Sequence, residues 1–226
     1  LHLSIRRQRQ MCIRDSDMVG DVRTLLAKHK SNATVVRTIA PHVLEFVSDL
    51  ETPPGVIAIG KRRPVKSDGA KKVSLVLVLA GVQNPQNVGA ILRTAEAAGV
   101  SEIWTSGATA DPFKPKALRA SSGSAFRLPV IAAPSLAEVA AQLKARDIVL
   151  VGAIQKGRVD YDRADWTKPS ALVMGSEGTG FTREELVLFG ETVKIPMSGT
   201  VESLNVGSAA AICLFEAARQ RRSAKA

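Results

Sequence analysis

From residue 73 onward, short unbroken apolar runs alternate with helix-like segments, and this alternation constrains the fold more than any other feature of the chain. The run "VSLVLVLAGV" (73–82) is continuous and rich in β-branched residues, as a strand buried on both faces must be. "NPQNVGAILRTAEAAGV" (84–100) reads as a helix, with Asn84 as N-cap, Pro85 at its first position and Gly99 at its C-terminal cap. "EIWTSG" reads as a strand, "PKALRASSG" as a short helix and "FRLPVIA" as a strand. "SLAEVAAQLKAR" opens on Ser135 with Glu138 three residues on, a capping box. "DIVLVGAI" (147–154) and "SALVM" (170–174) are further strands, and the second leaves into a glycine-rich loop. "TREELVLFG" then reads as a helix, "ETVKIPM" as a strand and the second half of "SLNVGSAAAICLFEAARQRR" (203–222) as a terminal helix. Alternation this dense predicts an α/β domain with a mainly parallel sheet and helices on both faces.

The first third of the chain is different. Residues 17–60 read as the end of a small α/β domain, with a helix in "PHVLEFVSDL", a turn at "TPPG" and a short buried strand "VIAIG" (56–60). "KRRPVKSDGAKK" (61–72) is basic and broken by Pro and Gly, which suits a linker to the larger domain at 73–222. "MCIRDS" (11–16) resembles a translated sequencing adapter, so roughly residues 1–16 are expected to be non-native and the true N-terminus missing.

Charge narrows the partners. The formal net charge is +10, and residues 1–72 carry 14 basic against 7 acidic side chains. Such a bias favours a polyanion, most often nucleic acid. Aromatics make up only 4% of the chain, which argues against a broad base-stacking platform. The two cysteines, Cys12 and Cys213, exclude a disulfide framework and offer no metal site; they fit a reducing, cytoplasmic setting. No apolar run approaches the ~20 residues of a membrane span.

Three loops follow apolar strands, where an open parallel sheet binds its ligands. In "NPQNVGAILRTA", Asn87 and Gly89 lie at a helix start whose free N–H groups favour an anion, and Arg93 follows one turn after Gly89. A capped helix with a solvated arginine is the plainer alternative. "GSEGTGF" (175–181) has neither dinucleotide-binding nor P-loop spacing. Glu177 between its glycines would repel a phosphate and suits a cationic or hydrogen-bond-donating ligand better; a plain turn is again the alternative. In "IPMSGTVESLNVGSAAA" (195–211), Ser203 and Asn205 either cap the helix or line a site.

In this order and spacing the three loops are specific. Over about residues 73–219 the chain resembles the SpoU/TrmH branch of the SPOUT RNA methyltransferases. "NPQNVGAILRTAEAAG" is similar to that family's first motif, "LVMGSEGTGF" to its second and "IPMSGTVESLNVGSAAAICLFEAAR" to its third. "SDLETPPGVIAI" is similar to the exit of the L30e-like RNA-binding domain of many members, here truncated. Gly207 stands where members often carry another small residue, a departure that costs about 1 kcal/mol of helix stability relative to Ala.

The resemblance implies an α/β fold with a C-terminal trefoil knot, an exception among chain topologies. It also implies an S-adenosylmethionine-dependent RNA 2'-O-methyltransferase that needs no metal. Cofactor contacts are expected at Gly175, Ile195 and Leu204, with Met174, Met197 and Val206 lining the pocket. Arg93, Asn87, Glu177, Ser203 and Asn205 match the catalytic and site-organising residues. Arg119, Ser121 and Ser124 are candidates for substrate RNA contact. Members act as homodimers through the last helix. The L30e-like segment favours ribosomal over transfer RNA. A non-catalytic RNA-binding or ribosome-assembly factor of the same fold is the competing expectation; a general nucleotide-binding domain fits the glycine spacing poorly.

Overall fold

The computed structural model describes residues 8–12, 39–48, 55, 57–61, 75–201 and 203–224. The chain divides into two units, Leu1–Arg63 and Pro64–Ala226. In the first, β1 (Gln8–Cys12) pairs antiparallel with β2 (Ile57–Lys61), and α1 (Pro41–Val47) begins on its proline. The strand expected at 56–60 is therefore present, but it is not buried: Ile59 is 49% exposed. Likewise no residue of α1 is buried, and Phe46 stands 90% exposed. Residues 17–38 and most of the 61–72 linker lie outside the described residues.

The second unit carries the expected alternation: β3 (Leu75–Ala80), α2 (Pro85–Ala97), β4 (Glu102–Ser106), α3 (Pro115–Ser121), α4 (Ser124–Arg127), β5 (Val130–Ala132), α5 (Leu136–Lys144), β6 (Val149–Ala153), β7 (Val159–Asp160), β8 (Ser170–Met174), α6 (Arg183–Leu186), β9 (Glu191–Lys194) and α7 (Val206–Ser223). The strands form one sheet in the order β5-β4-β3-β8-β6-β9-β7, and every pairing in it is parallel. All six residues of β3 are buried. Alternate side chains serve two cores, as the two-residue strand period requires. Leu75, Leu77 and Leu79 join Ile91, Leu92 and Leu214 on the α2–α7 face, whereas Val76 and Val78 join Leu136, Val139 and Leu143 of α5 on the other. Helices thus cover both faces.

Local signals explain the element ends. Asn84 Oδ1 accepts a hydrogen bond from Gln86 N at 2.9 Å and caps α2. At the other end Gly99 takes φ +81°, Val100 N donates to Ala95 O and Gly99 N to Glu96 O, a Schellman closure. The cap residue is Ala98, so Gly99 sits one place beyond the cap position expected for it. The expected strand "FRLPVIA" is shorter than its sequence suggested. Phe126 and Arg127 belong to α4, because Ser122 and Gly123 turn left-handed (φ 47° and 86°) and restart a helix before the chain reaches β5.

The order of the strands fixes where a site can form. β8 lies between β3 and β6, and β9 between β6 and β7. The last two strands therefore fill slots between strands that precede them in the chain. Leu79 and Ala153 are both register partners of Met174, and Ala153 is also the partner of Val193. The carboxyl ends of β3, β8, β6 and β9 are level, so the loops after them leave from one edge.

Candidate active site

At that edge the three loops are joined by side-chain amides. Asn87 Nδ2 in the first turn of α2 donates to Glu177 Oε1 in the loop after β8, at 2.5 Å. Asn205 Nδ2 donates to Asn87 Oδ1 at 3.4 Å, and Asn205 Oδ1 accepts from Gly207 N at 2.8 Å. Asn87 is thus a central link, and Asn205 both caps α7 and reaches across to α2. Capping and contact with the first loop coexist in this one side chain. Gly207 lies in the first turn of α7, where a Cβ would come within 3.0 Å of Asn205 Oδ1 and crowd the cap.

The glycines shape the walls. A Cβ at Gly175 would stand 2.8 Å from the ring of Phe181, which packs edge-on against Phe189 at 4.8 Å. Phe181 folds the loop 175–181 back on itself, and an isolated bridge joins Ser176 to Gly180. The side chains of Ser176 and Thr179 share a further hydrogen bond. Gly81, at φ +81°, ends β3 and donates its N–H to Thr109 Oγ1 at 2.8 Å. Gly157, after β6, lies so close to the backbone of Val193 and Lys194 that no Cβ fits. Phe181, Thr109 and Gly157 escape motif reading; the carboxyl-edge rule could have pointed to the loop that holds Gly157.

The remaining candidates divide. Met174 and Val206 are buried at the loop bases, and Gly175 and Ile195 are half-buried. Met197 and Leu204 are 38% and 37% exposed. Apolar side chains left partly open beside a chain of amides and one carboxylate suit a ligand with an apolar ring and a polar, positively charged centre. Arg93 is exposed and its guanidinium has no hydrogen bond or ion pair among the described residues; it does not join the Asn87 network. The hydroxyl of Ser203 is likewise unbonded among them. Arg119 is exposed, whereas Ser121 and Ser124 are fully buried. Ser121 Oγ donates to Leu118 O, and Ser124 Oγ accepts from Arg127 Nη2, so neither hydroxyl faces solvent.

Cys213 in α7 is buried, and burial pushes its thiol up to about 12. Among the described residues no three His, Cys, Asp or Glu side chains gather as a metal site, and no helix is long and apolar enough to cross a membrane.

Residues 74–215 match the model of the SpoU rRNA Methylase family. The chain belongs to that family. One SpoU relative, the 23S rRNA (guanosine-2'-O-)-methyltransferase RlmB of Ralstonia nicotianae, is 40% identical over 68% of this chain, which spans 62% of that protein. The 23S rRNA (uridine(2479)-2'-O)-methyltransferase of Streptomyces viridochromogenes is 34% identical, covering 90% of this chain and 78% of its own length. Among solved structures, the SpoU methyltransferase AviRb of Streptomyces viridochromogenes in complex with AdoMet superposes with a TM-score of 0.80. It is 34% identical over 88% of this chain and 78% of that one. The SpoU match takes in the first and second motifs whole and the third as far as Phe215, and so includes every residue of the Glu177–Asn87–Asn205 chain.

Proposed function

We propose that this chain transfers a methyl group from S-adenosylmethionine to a ribose 2'-hydroxyl of structured RNA, with ribosomal RNA favoured over transfer RNA. The observation that carries the reading is the chain of hydrogen bonds from Glu177 through Asn87 to Asn205, which ties three loops together at the carboxyl edge of the sheet. The names of the SpoU relatives and the cofactor-bound neighbour support it.

S-adenosylmethionine supplies a methyl group on a positively charged sulfur. Backbone groups of Gly175, Ile195 and Leu204 hold it, and Met174, Met197 and Val206 give the pocket its apolar lining. Glu177 makes the entrance favourable to positive charge, and Asn87 holds that carboxylate in place. Ser203 and Asn205 fix the third loop. The ribose oxygen must lose its proton as the new C–O bond forms. Arg93 is the wrong group to take that proton, because a guanidinium stays protonated in proteins. Its planar fork instead grips the neighbouring phosphate and stabilises charge growing on the oxygen, while the proton leaves to phosphate or water. The enzyme works as a homodimer with α7 in the interface, where Phe215 is 47% exposed. We read residues 17–60 as an L30e-like RNA-binding segment, 61–72 as its linker and 1–16 as foreign to it, although Gln8–Cys12 pairs with Ile57–Lys61, in a protein of the cytoplasm.

The test is transfer of labelled methyl to ribosomal RNA by the full chain. Arg93→Lys removes the fork and keeps the charge, so turnover should fall about 100-fold or more while calorimetric binding of S-adenosylmethionine is unchanged. Near-normal turnover would remove Arg93 from this role. A wild-type chain that binds no S-adenosylmethionine would instead point to the non-catalytic RNA-binding factor.

A further inference from the structure

Several described cations of the second unit are already paired. Arg127 holds Glu96, Arg146 holds Glu102, Arg158 holds Glu191 and Arg219 holds Glu216. Others are not, and three of them cluster at α3. Lys114, Lys116 and Arg119 are all exposed, and none makes an ion pair among the described residues. They stand out from a helix whose other side is buried through Ala117, Leu118 and Ser121. The helix is pressed onto α2 at Gly89, where a Cβ would meet Ala120 Cβ at 2.6 Å. Arg93 lies one turn further along α2, so the unpaired cations of α3 and the unpaired Arg93 belong to one packed pair of helices.

An aromatic ring adjoins them. Phe126 in α4 is 42% exposed. Its ring stands 6.2 Å from that of the buried Phe113, at 60°, and Phe113 immediately precedes Lys114. The bidentate Arg127–Glu96 pair, at 2.6 and 2.8 Å, fastens α4 to α2 one turn beyond Arg93. The exposed edge of Phe126 is thus held rigidly beside the start of the basic helix.

We propose that α3 and α4 form a seat for single-stranded RNA beside Arg93: Lys114, Lys116 and Arg119 hold phosphates, and Phe126 stacks on an unpaired base next to the nucleotide that is methylated. The inference rests on the reading of the chain as an RNA methyltransferase and adds which RNA surface it meets. Unpaired cations alone would accept any polyanion. A half-exposed aromatic ring beside the start of the basic helix selects a strand whose base faces are open, because bases within a duplex are already stacked. A low overall aromatic content does not oppose this, since one ring suffices for one base.

Fluorescence anisotropy tests it, with the full chain and two labelled probes, a short single-stranded oligoadenylate and an RNA duplex of equal length. Phe126→Leu keeps the apolar contact with Phe113 but loses the stacking face. Binding of the single strand should weaken about 5- to 10-fold, with little change for the duplex, and Phe126→Trp should restore it. The double variant Lys116→Ala/Arg119→Ala should weaken both probes and reduce the slope of log affinity against log salt by about 1.4 for the single strand. Melting temperature and S-adenosylmethionine affinity should match the parent in every variant. Unchanged single-strand binding in Phe126→Leu, or an unchanged salt slope in the double variant, overturns the seat. Neither result touches the enzyme reading, which falls only if the parent chain fails to bind S-adenosylmethionine or to methylate RNA.

Discussion

Gly89 looks replaceable on helix propensity alone, since Ala in its place would gain about 1 kcal/mol. The structure reverses the sign. A new Cβ would press on the carbonyl oxygen of Ala117 and on Ala120 Cβ, and overpacking of this kind costs about 1–3 kcal/mol. Gly89→Ala should therefore lower the denaturant midpoint, and a rise would mean that α3 moves aside freely. The sequence suggested a helix start open to an anion; it had no means of revealing that a second helix crosses at that glycine. Cys213 makes a different case, because it is buried in α7. With the thiol pushed up to about 12 by burial, almost no thiolate exists at pH 8. Peptide mass spectrometry should find Cys213 unalkylated by iodoacetamide in the native protein and fully alkylated after denaturation.

At the scale of elements, two fastenings decide how the helices sit. The first is the Glu96–Arg127 pair. Hydrogen bonding from Arg127 lowers the Glu96 carboxyl from 4.5 to about 2. A carboxyl whose folded value is depressed adds stability above its unfolded value and loses it as pH falls toward the folded one. Both side chains are partly exposed, so the contribution is small. The gap in denaturation midpoint between the parent and Glu96→Gln should be open at pH 6 and should close between about pH 4.5 and about pH 2. The second fastening is the end of α7. Gln220 donates to Ala164 O at 3.0 Å and accepts from Trp166 N at 3.0 Å. Arg221 donates to Trp166 O, Lys168 O and Ser170 Oγ at 2.5, 2.8 and 2.9 Å. Burial pulls its guanidinium down to about 10, still charged at neutral pH. Arg221→Met would strand those acceptors and should cost about 1–3 kcal/mol in urea unfolding. The basic side chains near the end of α7 are visible in the sequence, whereas the loop that receives Arg221 is not. The Schellman end of α2 was legible through Gly99, whose left-handed backbone is a local property. The split of "FRLPVIA" between α4 and β5 was not, since it hangs on Ser122, a non-glycine residue in the same conformation.

For the molecule as a whole, the parallel sheet was legible because buried parallel strands must be continuously apolar, and Leu75–Ala80 and Ala171–Met174 are. The insertion of β8 and β9 between earlier strands was not legible from periodicity, which carries no information on strand order; only the likeness to a known family implied it. The site shows the same division. Asn87, Glu177 and Asn205 stand far apart in the sequence, and the strand order brings them to one edge of the sheet, where Asn87 bonds to both of the others. Their union makes a chemical claim about where a methyl group goes. The direct measurement is to methylate ribosomal RNA with labelled S-adenosylmethionine and the full chain, hydrolyse it in alkali and resolve the products. A methyl on the 2'-oxygen blocks cleavage of the adjacent phosphodiester, so the label should appear in an alkali-resistant dinucleotide. Label released in a mononucleotide, with the methyl on a base, would contradict the account.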